Sequence, residues 1–449
     1  MPNPHIDPFS PRRHIRRTAA IFKGEYGRYT SLFEAMRVQS LSRAEIASMQ
    51  LERLKQTLSQ AKRHVPYWRE LFSGMGFDPT ELSSLSDLST LPISTKATFR
   101  EQGDRMISEQ YSKGTLIPRQ TGGSTGEPLH FYVDRKSHER QMAINLRSYY
   151  QAGIKEGDRV VKIWGYGRPL GHLNAIRYIT GRMYLDAFDT SDSAVSAWIQ
   201  AIMSFRPRAI YGYASAIGYL AKMILERAPA DILVPVVMTT SERLFPHVRK
   251  DIRAAFKGEV IDTYGCHETV RLATECHCAR MHLHPDAGYL EFVEGNGPSD
   301  SKRILLTTFL ADAMPFIRYD LGDRGDLTEE HCGCGLPFAT MRLADSRVHR
   351  LFSLPDRTIH SASIHKRIYP IPGVAQFQIH HTERDRIDVS VVPLTADIQA
   401  LRDRLDAVCS VLQQELGPKT TLSHRFVEAI PKTSSGKNIL VRSNVCEDQ

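Results

Sequence analysis

The stretch Val260-Ile261-Asp262-Thr263-Tyr264-Gly265-Cys266-His267-Glu268 joins an apolar, β-rich run to a loop of glycine and polar side chains. Three similar runs precede it, at residues 160–164, 209–211 and 234–238, and helical segments separate them. Strands that alternate with helices indicate a layered α/β domain with a substantial parallel sheet. Ligands of such sheets gather beyond the carboxyl ends of the strands, so the loop that ends at Glu268 is predicted to face a binding site.

The two ends of the chain have other patterns. Ser42 and Glu45 have the spacing of a capping box, and apolar residues then recur at helical intervals as far as Val65, which predicts an amino-terminal helical region. Residues 387–392 have the composition of a strand, and apolar positions from 398 to 416 mark one face of a helix. We therefore predict a large α/β domain over residues 1–343 and a small, mobile α+β domain over residues 344–449.

The composition is that of an ordinary globular protein, with 449 residues of which 41% are hydrophobic and 24% charged. The formal net charge of +8 is spread along the chain. It forms no continuous basic stripe with interleaved aromatic residues, which disfavours nucleic-acid binding. No run approaches the length of a membrane span and the amino terminus lacks the apolar core of a signal peptide, so we expect a cytoplasmic protein without integral membrane association. The sequence leaves the oligomeric state open, and a homodimer is one of the states it allows.

Two loops combine glycine with hydroxyl side chains. The first reads Gln120-Thr121-Gly122-Gly123-Ser124-Thr125-Gly126-Glu127-Pro128, and the second reads Pro431-Lys432-Thr433-Ser434-Ser435-Gly436-Lys437. Backbone N–H groups and hydroxyls of the first can bind phosphate oxygens, and the lysine of the second can bring a positive charge to a reacting centre. Because Glu127-Pro128 follows the last glycine where a Walker A site needs lysine, a P-loop NTPase is disfavoured. An ordinary polar turn is the alternative, but together the loops predict ATP chemistry on a carboxylate.

Four of the seven cysteines fall in two tight groups, Cys276/Cys278 and Cys332/Cys334. Zn²⁺ prefers thiolate and imidazole ligands, and a closed set of four makes a structural site. We assign Cys276, His282, Cys332 and Cys334 as the ligands of one structural zinc, within a zinc-binding segment over residues 276–334. Cys278 and His284 stay open as replacements for the first pair, and incidental cysteines are the alternative. Cys409 and Cys446 are interpreted as a core residue and a tail residue.

Asp320 and Asp323 lie three residues apart around Gly322. Carboxylates in this arrangement can bind ribose hydroxyls, although a plain turn with exposed acids is the more common case.

The order of these motifs resembles the adenylate-forming superfamily. The residues that carry the resemblance are 121–128, Ser241-Glu242, 264–268, 319–323 and 431–437. Within the superfamily the chain is most similar to the phenylacetate-CoA ligase branch, especially its members of the capsule-biosynthesis type. The likeness extends over nearly the whole chain, and the cysteine groups resemble a zinc-bearing insertion of that branch. It implies a large layered adenylation domain followed by a small carboxyl-terminal domain.

The resemblance implies an AMP-forming carboxylate ligase with a two-step reaction. A carboxylate would attack the α-phosphate of ATP, and the acyl-adenylate would then pass its acyl group to coenzyme A. Catalytic roles would fall to Lys437, which bridges the reacting oxygens, to Glu268, which holds Mg²⁺, and to His267, near the α-phosphate. The nucleotide would be bound at its phosphates by Thr121, Gly122, Gly123, Ser124, Thr125 and Gly126, and at its adenosine by Ser241, Glu242, Tyr264, Gly265 and Asp323.

The chain departs from the family pattern at two places. One is His267, which concerns the first step, and the other is the hinge, which concerns the second. His267 stands where the family usually has threonine. The hinge, usually Gly-Arg followed by acids, here reads Ala344-Asp345-Ser346-Arg347. The altered hinge favours one alternative, transfer to an amine, carrier protein or other acceptor. The other alternative is a non-catalytic binding scaffold in surface-polysaccharide biosynthesis, and the retention of Lys437 and Glu268 argues against it.

The identity of the carboxylic acid is not fixed by any sequence feature. Aromatic side chains near the predicted site would suit an aromatic or otherwise flat acid, although ordinary core packing accounts for them equally well. They are Trp164, Tyr166, Tyr211, Tyr213 and Tyr219.

Overall fold

The structure is a computed structural model that describes residues 27–121, 129–166, 170–187, 192–227, 231–295, 301–328, 332–344, 351–431 and 440–445. The helices are α1 Gly27–Arg37, α2 Arg43–His64, α3 Pro66–Gly74, α4 Lys96–Gln102, α5 Arg135–Gln151, α6 Gly171–Ala175, α7 Arg177–Thr180, α8 Asp192–Phe205, α9 Ala214–Arg227, α10 Pro246–Phe256, α11 Ala362–Ile368 and α12 Ile398–Leu416. Short 3₁₀ turns join several of them.

The strands are β1 Ile117–Gln120, β2 His130–Val133, β3 Val160–Trp164, β4 Arg182–Asp186, β5 Ala209–Tyr213, β6 Val236–Thr240, β7 Glu259–Tyr264, β8 Ala273–Glu275, β9 Met281–Leu283, β10 Gly288–Val293, β11 Lys302–Thr308, β12 Tyr319–Thr328, β13 Thr340–Leu343, β14 Leu351–Ser353, β15 Thr358–His360, β16 Val374–Glu383, β17 Arg386–Pro393, β18 Thr421–Phe426 and β19 Val441–Ser443.

One large sheet organises the amino-terminal domain. Its strand order is β10-β11-β12-β13-β9-β8-β7-β6-β5-β3-β4. The half from β7 to β4 is parallel, and the half from β7 to β10 is antiparallel. The predicted α/β class with substantial parallel sheet is therefore confirmed. The change of direction at β7 places the loop of residues 265–268 where the two halves meet.

Strand β6 differs from its prediction. The sequence pattern predicted residues 234–238, whereas the strand is Val236–Thr240. Pro235 has no N–H to donate to a ladder, so regular pairing with β5 and β7 begins at Val236. The shift extends the strand to Thr240, directly before Ser241.

The amino-terminal helices form the predicted scaffold. Ser42 caps α2 as a capping box, with Glu45 N–H donating to Ser42 Oγ at 3.2 Å and Ser42 N–H donating to Glu45 Oε2 at 2.7 Å. Leu54 and Leu58, one turn apart, are fully buried. They pack in a core shared with β11 and β12. Among the described residues, no helix combines the length and the apolar character that a membrane crossing requires.

The carboxyl-terminal domain is a small α+β unit, as predicted. Its sheet has the order β18-β17-β16-β19. Helix α12 spans the predicted residues and buries Leu401, Leu405, Leu412 and Leu416 in a core separate from the large domain. Cys409, also on α12, is half-buried, and burial raises the pKa of its thiol to about 11.

Candidate active site

A cavity of about 810 Å³ opens beyond the carboxyl ends of β5, β6 and β7. The predicted site residues that line it come from four separate segments of the chain and are Thr121, Ser241, Glu242, Tyr264, Gly265, His267, Glu268 and Asp323. Residues 122–126 and Lys437 lie outside the described residues. Every predicted nucleotide or catalytic residue that the structure describes thus lies on the wall of one cavity.

The loop after β7 has a shape that requires glycine at its first position. A Cβ atom on Gly265 would lie 1.9 Å from the carbonyl oxygen of Val270, so no other residue fits there without moving the backbone. The turn closes through Val270 N–H, which donates to Cys266 O at 2.7 Å. Helix α5 supports the loop, because Gln141 Nε2 donates to Glu268 O at 3.3 Å. Glu268 is therefore held at the cavity wall with only 4% of its surface exposed.

The two carboxylates around Gly322 have different surroundings. Asp323 lines the cavity and accepts a hydrogen bond from Tyr264 Oη at 2.9 Å. Asp320 instead pairs with Arg303 at 2.7 Å and accepts the N–H of Gly322 at 2.8 Å. Only Asp323 is thus placed for a ligand in the cavity.

Ser241 and Glu242 leave β6 through a left-handed residue, since Ser241 has φ 67°. Glu242 turns back to the start of α9, where Ser215 N–H donates to its Oε2 at 2.8 Å. A carboxylate is stabilised at a helix amino terminus because the unsatisfied N–H groups there carry partial positive charge. The segment is therefore fixed between β6 and α9 at the edge of the cavity.

Asp262 lines the cavity but was not predicted as a site residue. Its Oδ1 accepts a hydrogen bond from Thr239 Oγ1 at 2.6 Å, and its N–H donates to Glu275 Oε2 at 2.7 Å. Burial and the neighbouring Glu275 carboxylate raise the pKa of Asp262 to about 7. Arg249 donates to both carboxylate oxygens of Glu275 at 2.7 Å, so the Asp262 and Glu275 carboxyl groups share this one cation. The available signal was strand alternation, which places Asp262 on the same face as Tyr264.

Arg119 is a second cavity residue that the sequence analysis missed. Its guanidinium donates to Gln141 Oε1 at 2.9 Å, to the ring Nδ1 of His138 at 2.6 Å and to His267 O at 3.4 Å. All three acceptors are neutral, and burial lowers the pKa of Arg119. It therefore supplies a positive charge next to Thr121.

The predicted aromatic residues divide into wall and core. Trp164 and Tyr211 line the cavity and stack with ring centroids 5.9 Å apart. Tyr213 lies behind Trp164 at 4.4 Å and is buried, as is Tyr219. Tyr166 packs edge-on against Tyr184.

The predicted metal ligands form one cluster next to β9. The ligand atoms of Cys276, His282, Cys332 and Cys334 all lie within 4.8 Å of one another. Cys276 Sγ is 3.5 Å from Cys332 Sγ, and Cys334 Sγ is 3.3 Å from His282 Nε2. These separations are close to the roughly 3.8 Å between two thiolates 2.3 Å from one tetrahedral zinc.

The tautomer of His282 also fits a metal ligand. Its Nδ1 lies 3.1 Å from the carbonyl oxygen of Phe338, which can only accept, so Nδ1 carries the proton. Nε2 then presents its lone pair to Cys334, and such a backbone bond is the usual way to orient a ligating histidine.

Of the two open replacements, Cys278 borders this cluster, with its thiol beside those of Cys276 and Cys332, whereas His284 lies outside it. His284 is buried in another network, with Nδ1 2.8 Å from Arg147 Nη2 and Nε2 3.0 Å from Thr274 Oγ1. Cys278 is exposed. Cys446 lies outside the described residues.

The chain has relatives among proteins of known name. It is 23% identical over 427 residues to Protein CapK of Staphylococcus aureus, which covers 89% of this chain and 90% of the relative. It is 24% identical over 356 residues to a phenylacetate-coenzyme A ligase of Thermus thermophilus, covering 75% of this chain and 78% of the relative. No family model matches the chain. These relatives confirm the predicted resemblance to the phenylacetate-CoA ligase branch and its capsule-type members.

Solved structures share the fold. A crystal structure of 2-hydroxyisobutyryl-CoA ligase in the postadenylation state, in complex with R3-HIB-AMP, superposes with a TM-score of 0.72 at 20% identity and covers 91% of each chain. A structure of the anthranilate CoA ligase AuaEII with anthranoyl-AMP superposes with a TM-score of 0.51 at 15% identity, covering 74% of this chain and 66% of that one. The fold is therefore that of adenylate-forming acyl-CoA ligases.

Proposed function

We propose that this chain, whose fold is that of adenylate-forming acyl-CoA ligases and whose relatives include phenylacetate-coenzyme A ligases, activates a carboxylic acid with ATP and transfers the acyl group to coenzyme A. The observation that carries the proposal is the convergence of Thr121, Ser241-Glu242, residues 264–268 and Asp323 on one cavity. A cavity of about 810 Å³ is large enough for a nucleotide and a small acid together.

In the first step, a carboxylate oxygen of the acid attacks the α-phosphorus of ATP. The bond between the α-phosphorus and the bridging oxygen breaks, and pyrophosphate leaves. Thr121 and the neighbouring residues 122–126 bind the terminal phosphates, and Asp323, oriented by Tyr264, binds the ribose hydroxyls. Glu268 is the residue that would hold Mg²⁺, an ion that offsets the repulsion between carboxylate and triphosphate.

The developing charge on the α-phosphate needs fixed cations. Arg119 has only neutral acceptors within the described part of the chain, so its charge is available to the phosphates. We assign Lys437 to the bridge between the carboxylate and α-phosphate oxygens, and His267 to the α-phosphate. Such charges act strongly because they are in place before the reaction begins.

In the second step, the thiolate of coenzyme A attacks the acyl carbonyl, and AMP leaves. The acceptor reaches the adenylate after Lys437 withdraws with the small domain. Ala344 lines the cavity, which supports a pivot near residues 344 and 345.

We also propose that Cys276, His282, Cys332 and Cys334 hold one structural zinc. The four ligands leave no open position for a substrate, and this is typical of structural sites. Cys276 directly follows Glu275, so the ion would fix the strand that carries the carboxylate partner of Arg249.

The deciding experiment measures pyrophosphate, AMP and thioester separately with a panel of carboxylic acids. Pyrophosphate release that depends on both acid and ATP, followed by thioester formation with coenzyme A, is the expected result. If adenylate forms without thioester, the acceptor is a compound other than coenzyme A. The absence of any acid-dependent pyrophosphate release would contradict the proposal.

A further inference from the structure

One face of the parallel sheet carries a row of half-exposed polar and aromatic side chains. Lys162 pairs in register with Tyr184 on one side and with Tyr211 on the other, so the three side chains lie side by side across β4, β3 and β5. The residues before and after each of them are buried. Trp164, one step nearer the carboxyl ends, and Tyr211 belong to the wall of the cavity. The row therefore meets the cavity at Trp164 and Tyr211.

Arg271 reaches this row from the loop after Glu268. Its side chain is fully buried, and its guanidinium carbon lies 5.6 Å from the ring centroid of Tyr211. Nη2 donates to Asn145 Oδ1 at 2.7 Å and to Tyr211 Oη at 3.4 Å, which are both neutral. Nε has no hydrogen-bond partner, and no carboxylate of the described residues forms an ion pair with Arg271. An uncompensated buried guanidinium is costly in a folded protein unless a ligand supplies the missing charge.

Other donors converge on the same place. Tyr149 Oη on α5 is buried and has no hydrogen-bond partner among the described residues, and its ring lies edge-on to Tyr211 at 5.7 Å. Burial raises the pKa of Tyr149, so the hydroxyl keeps its proton to donate. Lys162 Nζ lies 6.0 Å from the Tyr211 ring centroid, on a side chain of the row itself.

We propose that the acid substrate bears a second anionic group, which Arg271, Lys162 and Tyr149 bind beside the ring of Tyr211. The inference rests on the proposed ligase function and names the class of its substrate. The reacting carboxylate would lie near Glu268 and His267, while the second anion meets two cations and an unpaired hydroxyl. The stacked rings of Trp164 and Tyr211 flank the space between the two ends.

The test compares matched acids that differ by one carboxylate. Phenylacetate is paired with 4-carboxyphenylacetate, and butanoate with glutarate, and kcat/KM for pyrophosphate release is measured for each. Wild type should prefer the diacid of at least one pair by tenfold or more. Arg271→Gln should lower that preference by about 10- to 100-fold, the range for one hydrogen bond between charged groups. The loss should appear in KM for the diacid, while the monoacid is little affected.

Two further variants keep the test decisive. Lys162→Gln, at a half-exposed position that tolerates substitution, should lower the diacid preference in the same direction by a smaller factor. Arg208→Gln is the control. Arg208 is exposed and directly precedes β5, at the amino ends of the parallel strands, so its replacement should leave the preference for the diacid unchanged. Equal use of both acids by wild type, or a preference that Arg271→Gln does not alter, would overturn the inference and leave the ligase function intact.

Calorimetry separates this inference from the proposed function. Diacid binding to wild type should exceed monoacid binding, and Arg271→Gln should abolish the difference, without any need for turnover. If no acid releases pyrophosphate, the ligase function fails, while calorimetry still decides whether the anion site exists. Equal binding of both acids of each pair would then remove the site as well.

Discussion

The region beneath β9 and the region around Tyr211 both bury an arginine completely, but among the described residues only the first contains a carboxylate that neutralises it. Arg147 binds both oxygens of Asp286 at 2.6 and 2.9 Å, donates to Ala35 O at 2.6 Å and contacts neutral His284. Within the part of the chain that the structure describes, Arg271 donates only to an amide oxygen and a phenol. Equal burial with unequal compensation separates a charge that holds the scaffold together from one for which we propose a ligand.

The same contrast separates His282 from His284, two residues apart. His284 is surrounded by donors and acceptors of the protein, and burial with the Arg147 and Arg271 charges lowers its pKa well below the usual range. His282 faces thiols that have one another as neighbours. The first environment is complete in the polypeptide, and the second is the one that we propose an ion completes.

The largest effect is expected at the cysteine cluster. Cys332→Ser combined with Cys334→Ser should lower the zinc content from one per chain to none and reduce the melting temperature. Structural zinc binds zinc-finger peptides with about 10–16 kcal/mol, which exceeds any single contact discussed here. Metal analysis of protein purified without added zinc, followed by calorimetric melting, checks the result.

Cys278→Ser is the matched control, because the exposed Cys278 thiol borders the cluster without being one of its four ligands. It should keep the zinc and the melting temperature. If the wild-type protein is free of metal and fully stable, the four residues are ordinary packing residues and the zinc proposal is wrong.

The next effect tests the two arginines directly. Arg147→Met should lower the free energy of unfolding by about 3–5 kcal/mol, because it leaves the Asp286 carboxylate buried without a partner. Arg271→Met should change it by no more than about 1 kcal/mol, since replacing an unpaired buried charge with an apolar side chain is often neutral. Urea unfolding of both variants measures the difference, and similar losses would mean that Arg271 is structural too.

Much of this fold was predictable because it depends on local periodicity. Strand β3 has the predicted limits, and α12 buries the predicted leucines. The antiparallel half of the large sheet was not predicted. Strands β8 and β9 have three residues each, too few to show alternation, and they are separated by a loop rich in cysteine and histidine.

The candidate site was predicted where a motif is contiguous and missed where it depends on distant contacts. Thr121, Tyr264 and Glu268 belong to recognisable loops. Arg271 donates a hydrogen bond to Asn145, which lies 126 positions earlier in the chain, and no spacing rule connects the two residues. Asp262 lay within the quoted stretch, but its pKa is raised to about 7 by burial and by the nearby Glu275, neither of which the sequence shows.

Lys437→Ala extends the contrast between scaffold and site to catalysis. It should slow adenylate formation by about 10²-fold or more, a typical loss for one contact to developing charge, while ATP binding and stability are retained. Acid-dependent pyrophosphate release, with ATP binding measured in parallel, checks this. Unchanged pyrophosphate release with an accepted acid would exclude Lys437 from the catalytic step.

The last effect concerns the pH dependence of stability at Asp262. Its pKa is raised from 3.8 to about 7 in the folded state, so the folded chain keeps a proton that the unfolded chain releases between those values. Stability attributable to Asp262 is therefore present below about pH 4 and is lost as the pH rises to about 7, by at most about 1.4 kcal/mol per pH unit. Asp262→Asn should remove this slope, so its stability relative to wild type rises across the window. Glu275→Gln is the matched control, because it removes the neighbouring negative charge, lowers the pKa of Asp262 and narrows the window. Urea unfolding at half-unit intervals from pH 4 to 8 measures all three proteins, and parallel curves would show that Asp262 is already ionised in the folded chain.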